Sequence, residues 1–295
     1  MSSAQSRGLV GNTLALTSAV AFAVANASAS IAFYGGSNPP TLAATRFILP
    51  TVLLVAWLRV QGNSLWLSRR DGWIAVGLGV ITAAYSWALL GAIGTVPLSL
   101  AILIFYLFPL VAAVIVGVCG WETISWTTIA AIFVALIGLA LALDPRVGNH
   151  NALGISLAFG ASVGLGAVVA VSGRLLRAGD SRRVTLYMAG VSAALLIALC
   201  ASRGDFALPV TATGWFGFLG AAILYAFAII AFFMAVSIIG PMRTSLLCYA
   251  EPVASAGLGV MVLGEVLTIV QTAGIALVVG SLVGATLWQQ RALPR

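Results

Sequence analysis

Tyr249-Ala250-Glu251-Pro252 stands 143 residues beyond Tyr106-Leu107-Phe108-Pro109. The same step joins Gly11, Leu14 and Ala15 to Gly154, Leu157 and Ala158, and Ala113 and Glu122 to Ala256 and Glu265. It is close to half of the 295-residue chain. A repeat at a fixed offset sets the architecture, so it is read before any local feature. Two fainter echoes, Thr41-Leu42 with Thr185-Leu186 and Gly72-Trp73 with Gly214-Trp215, slip slightly in offset, as insertions or deletions between two halves produce.

Hydrophobic residues make up 61 % of the chain and charged ones 7 %, against roughly 25 % charged in a soluble domain. The charges fall between apolar runs of about 20 residues, the length a helix needs to cross a hydrocarbon core. The sequence therefore predicts an all-α polytopic membrane protein in the lipid bilayer. Charges and Gly or Pro breaks delimit ten transmembrane helices, near residues 8–34, 40–60, 72–93, 97–119, 124–143, 152–176, 184–202, 214–239, 243–263 and 267–288. Connections as short as Gly94–Val96 and Gly240–Met242 make neighbouring spans antiparallel.

All 14 cations are Arg. With a cytoplasmic N-terminus, Arg7, Arg59, Arg69, Arg70, Arg174, Arg177, Arg182, Arg183, Arg243, Arg291 and Arg295 lie inside, Arg146 and Arg203 outside, and Arg46 within a span. This asymmetry predicts that both termini face the cytoplasm. It also accounts for the net charge of +7 without a nucleic-acid partner, since no basic stripe faces water. Arg7, the apolar stretch after it and the small-residue run Ala25 to Ser30 imitate a cleavable secretory signal. The echo of Gly11, Leu14 and Ala15 instead assigns this segment to the repeat.

Five spans per half is an odd number, so the second half enters the membrane from the opposite side. The expected fold is thus two inverted five-helix repeats, residues 1–147 and 148–295, forming one transmembrane domain.

The chain carries little reactive chemistry. His150 stands in an external loop between Asn149 and Asn151, and Cys119, Cys200 and Cys248 are scattered through apolar segments as small core residues. HExxH, GxSxG and Walker patterns are missing, so neither an enzyme nor an ATP-driven pump is expected, and no cofactor or metal site.

Charges inside a membrane span mark function by default. Arg46 lies six residues into the second span, about 9 Å deep, and fits either an interfacial role or attraction of an anionic substrate group. Glu251 lies near the middle of the ninth span. It fits a protonatable site or a contact for a substrate ammonium, and equally a carboxylate tied to backbone freed by Pro252 or paired within the bundle. Its counterpart is Phe108, so symmetry alone does not demand an acid. Pro109 and Pro252 each remove a backbone hydrogen bond within a span, which fits matched kinks that act as hinges around a cavity and also fits packing alone. Glu122 and Glu265 precede the fifth and tenth spans and read as helix caps.

Mid-span aromatics predict the wall of that cavity: Tyr85, Trp87, Phe105, Tyr106, Phe108, Tyr225, Phe227 and Tyr249. Buried tyrosines want a polar partner that lipid does not offer. Trp66, Trp73, Trp121, Trp126, Trp215 and Trp288 sit at span ends, as an interfacial belt does. Gly160, Gly164 and Gly166 give the sixth span a small-residue face for close helix contact.

These features together resemble the drug/metabolite transporter superfamily, and more closely its EamA-type exporters. The resemblance rests on Arg46-Phe47 in the second span, Tyr106 to Pro109 followed by Gly120-Trp121-Glu122, and Tyr249 to Pro252 followed by Gly264-Glu265. It covers the whole chain and is nearest the aromatic amino-acid exporters. It implies alternating-access export of a small-molecule substrate from a site built by spans one, three, four, six, eight and nine. Phe108 departs from the family pattern, in which many repeats carry Glu there. The expected protein is an exporter of aromatic or other apolar amino acids, working as a monomer or weak homodimer. The alternative is a broad exporter of lipophilic drugs.

Overall fold

A backbone that meets no water must satisfy its hydrogen bonds internally, which favours helices. The computed structural model describes residues 3–93, 95–96, 98–121, 123–143, 151–178, 180–263 and 268–291, and among these residues all regular structure is helical. Thirteen helices are described: α1 (Ser3–Tyr34), α2 (Pro39–Thr45), α3 (Ile48–Val60), α4 (Arg69–Ile93), α5 (Leu98–Phe105), α6 (Phe108–Val118), α7 (Trp126–Leu143), α8 (Ala152–Ala178), α9 (Ser181–Arg203), α10 (Ala212–Ile239), α11 (Pro241–Leu247), α12 (Ala250–Leu263) and α13 (Ile269–Arg291).

Eight segments are long and apolar enough to cross a membrane, with the shorter apolar helix Ile269–Ala285 beside them. The protein is therefore a polytopic membrane protein. The expected span near 243–263 is occupied by α11 and α12. Glu122, Arg146, His150, Gly264 and Glu265 lie outside the described residues.

Local chemistry sets the helix ends. Asn38 caps α2 by accepting from Thr41 N, Asp180 caps α9 by accepting from Arg182 N, and Thr211 caps α10 by accepting from Gly214 N. Between α10 and α11 the chain turns at Gly240, whose φ of 83° is costly for residues with a Cβ, and Pro241 opens the next helix.

The most extensive packing is α1 against α10, followed by α7 against α13 and by α4 against α8 and α9. At the α7–α13 crossing, a Cβ on Gly138 would lie 2.7 Å from the Gly274 carbonyl oxygen. Only glycine permits that approach. The small-residue face expected on α8 is divided: Gly164 packs on Tyr85 and Gly166 on Val111 and the Phe108 carbonyl, while Gly160 meets nothing. Both contacts lie within the chain. Of the expected belt, Trp66, Trp73, Trp126 and Trp215 are exposed, Trp66 and Trp126 each at 79 %. Cys200 and Cys248 are buried as expected, but Cys119 is exposed at the end of α6.

At the prolines the geometry differs from the expected kinks. Instead of bending continuous helices, the chain breaks at Tyr106-Leu107 and Cys248-Tyr249, and Pro109 and Pro252 fall in the first turn of the helix that follows. A proline there gives no N–H to the carbonyl four residues earlier and fits a first helical turn. A third break, at Arg46-Phe47, precedes Pro50 in the same way.

Candidate functional site

The three breaks, together with α1, α4 and α10, bring most of the candidate residues together. At the α5–α6 break, Leu110 N donates to Leu107 O at 2.9 Å, so it does not serve the Tyr106 carbonyl, its usual partner in an unbroken helix. The Tyr249 hydroxyl donates to that carbonyl at 2.8 Å, and the Tyr106 and Tyr249 rings lie 5.5 Å apart. A side chain from one break thus satisfies the backbone freed by the other.

The aromatic side chains form two groups of ring contacts. Tyr85 meets Phe105 at 6.2 Å, Phe105 meets Tyr106 and Phe108 at 6.2 and 6.1 Å, and Tyr225 meets Phe22 and Phe47 at 5.5 and 5.4 Å. Tyr106, Phe108, Tyr225 and Tyr249 are buried, whereas Phe22, Tyr85 and Phe105 keep partial access. The first set packs as backing, and the second supplies open ring surface. Gly164 makes room for Tyr85 at the contact between α4 and α8.

Arg46 ends α2 and turns into the bundle. Its guanidinium carbon lies 4.6 Å from the centre of the Tyr225 ring and 5.2 Å from that of Phe47, and Nη2 donates to Ser86 Oγ at 3.1 Å. Its Nε is buried and bonds to nothing. Cation–π contact offsets part of the cost of desolvating the charge.

Glu251 opens α12, two residues after the break. Its carboxylate accepts from Asn26 Nδ2 of α1 at 3.0 Å, and Tyr106 also approaches it. Arg46 is near enough to interact with it electrostatically, yet no ion pair joins the two. A path of contacts connects them: Arg46 on Tyr225, Tyr225 on Phe22, and one turn along α1 from Phe22, Asn26 on Glu251. The two interior charges therefore share one region of the bundle without neutralising each other by contact.

Two expected wall residues lie elsewhere. Trp87 sits beneath Arg203, which ends α9, at 5.3 Å, and it makes none of the ring contacts above. Phe227 is 51 % exposed on the outer face of α10. Asn26, Ser86, Phe22 and Phe47 were missing from the sequence-based set. An asparagine and a serine inside apolar spans do carry a signal, because each polar group in a membrane needs a partner.

Away from this site, Arg182 finds ordinary partners. Arg182 engages the Asp180 carboxylate through Nε and Nη2 at 2.9 and 2.8 Å, bonds Gln61 through Nη1, and lies over Trp57. Arg182 beside Asp180 holds that carboxyl below the usual carboxylate range. Among the described residues no group of His, Cys, Asp and Glu has the makings of a metal site.

A sequence model of the EamA-like transporter family matches residues 9–143 and, a second time, residues 152–287. Among solved structures, a crystal structure of another protein superposes with a TM-score of 0.80, covering 98 % of this chain and 99 % of that one at 23 % identity. That likeness shows a shared fold. No curated protein matches the sequence.

Proposed function

Because the chain belongs to the EamA-like transporter family, and is thus a membrane transporter of small molecules, we propose that it exports aromatic or other apolar amino acids across a bacterial inner membrane. The observation that carries this reading is the unpaired couple of interior charges beside partly open aromatic rings. Arg46 suits the carboxylate of a zwitterion, Glu251 suits its ammonium group, and Phe22, Tyr85 and Phe105 suit an apolar side chain. A lipophilic drug needs only the rings, and leaves two desolvated charges without a purpose.

In this reading ten spans form two inverted five-helix halves, with both termini cytoplasmic. The repeated family match begins at residues 9 and 152, the same step that separates Tyr106 from Tyr249, which supports the duplication. The halves rock about the site and expose it to one side at a time, with the breaks before Pro109 and Pro252 absorbing the motion. Glu251 is the group placed to exchange a proton.

Efflux from liposomes loaded with a labelled amino-acid mixture, with and without a pH gradient, tests the proposal. Phenylalanine, tyrosine and tryptophan should leave faster than from protein-free vesicles. A pH gradient should change the rate for the wild type but not for Glu251→Gln. Efflux of lipophilic cations that amino acids fail to compete with would establish the drug-exporter alternative.

A further inference from the structure

Arg46 and Arg182 are arginines in opposite circumstances. Near the α8–α9 turn, Arg182 has Asp180 on two of its nitrogens and Gln61 on the third. Inside the bundle, Arg46 has one hydrogen bond, to Ser86, no carboxylate within ion-pair distance, and a buried Nε with no acceptor. A guanidinium offers five donors in a planar fork. Of these, Nε is both buried and unmet, where an unmet donor is most costly.

The helix facing Arg46 shows the same deficit. Ser86 is 1 % exposed, accepts from Arg46 and also reaches the hydroxyl of its neighbour Tyr85, so it holds the guanidinium in place. One turn earlier on the same face of α4 stands Thr82, 2 % exposed, whose hydroxyl bonds to nothing. Other helical threonines do not behave this way. Thr45, Thr51 and Thr185 each donate back to the carbonyl four residues earlier, at 2.7–2.8 Å. The Thr82 hydroxyl makes neither that bond nor a replacement within the protein.

We propose that Thr82, Ser86 and Arg46 form a subsite that clamps the carboxylate of the transported molecule, and so fix the end by which an amino acid enters the site. This deepens the amino-acid reading above and rests on it. The Thr82 hydroxyl and the guanidinium that Ser86 holds beside it ask for an acceptor with several lone pairs, and a carboxylate brings two oxygens. Glu251, held by Asn26, takes the ammonium end. The molecule then lies with its side chain against Phe22, Tyr85 and Phe105. Thr82 and Ser86 become specificity residues for the carboxylate rather than for the side chain.

The test compares phenylalanine with 2-phenylethylamine, which keeps the ring and the ammonium and lacks the carboxylate. Half-saturation concentrations for both are measured in proteoliposomes for the wild type, Thr82→Val, Ser86→Ala and Thr82→Ser. Losing one hydrogen bond to a charged group should raise the phenylalanine-to-phenylethylamine ratio about tenfold in Thr82→Val and Ser86→Ala. Thr82→Ser, which restores the hydroxyl, should keep the wild-type ratio. A ratio unchanged in both deletion variants, as an inorganic anion at Arg46 would also give, overturns the subsite while leaving amino-acid transport intact. A wild type that moves neither compound overturns both. Because the readout is a ratio within each variant, a variant that inserts poorly still reports.

Discussion

The break before Pro109 and the break before Pro252 share a tyrosine, a proline and their spacing, and differ by one charge. At the first, Phe108 is 3 % exposed, lies against Tyr106 and Phe105, and leaves its carbonyl on Gly166. At the second, Glu251 keeps partial access and is held by Asn26. The same backbone device is thus used once as packed wall and once as a polar station. A broken helix frees backbone groups and makes a place for a polar side chain, but does not require one. At the α5–α6 break the freed carbonyl is served by the Tyr249 hydroxyl from across the bundle.

Making the breaks alike should have the largest effect. Phe108→Glu puts a carboxylate into a closed apolar site with no cation provided, and should cost several kcal/mol of stability, seen as a collapse of the thermal transition in detergent. If that variant keeps wild-type stability, the first break is more open than its packing indicates. Removing the cross-link between the breaks comes next. Tyr249→Phe leaves the buried Tyr106 carbonyl unserved and should cost about 1–3 kcal/mol, with the melting temperature as the measure. A neutral result would mean that another donor reaches that carbonyl.

Asn26→Leu should spare the fold more than Tyr249→Phe does, while lowering phenylalanine efflux about tenfold, because it removes one hydrogen bond to a charged group. Efflux equal to wild type would show that Glu251 needs no support from α1. The smallest effect lies outside both breaks. Asp180→Ala removes the α9 cap and should cost about 1 kcal/mol. Since Arg182 depresses the Asp180 pKa in the folded protein, its contribution is complete above the unfolded value of about 3.9. It fades as pH falls through the lower folded value. Melting curves of wild type and variant should converge in that acid window and separate above it.

Much of this architecture was legible in the sequence, because spans follow from length and polarity, and prolines foretell where a helix cannot continue. Pro50 shows how the rest was missed. It has no counterpart in α9, which runs unbroken from Ser181 to Arg203, so a reading guided by symmetry passes over the break at Arg46-Phe47. Asn26 and Ser86 illustrate a different gap. Their contacts to Glu251 and Arg46 span 225 and 40 residues, and periodicity within one helix says nothing about which neighbour it meets. Arg203 over Trp87 is a similar case, since only the packing of α9 on α4 brings the two together.

The central claim is that the one charge distinguishing the two breaks works on substrate, and phenylalanine efflux from proteoliposomes by wild type and by Glu251→Gln tests it most directly. The account predicts that the wild type outpaces protein-free vesicles and that Glu251→Gln, folded and inserted at the same level, falls at least tenfold and loses its response to a pH gradient. Equal rates and equal pH responses in the two proteins would contradict it.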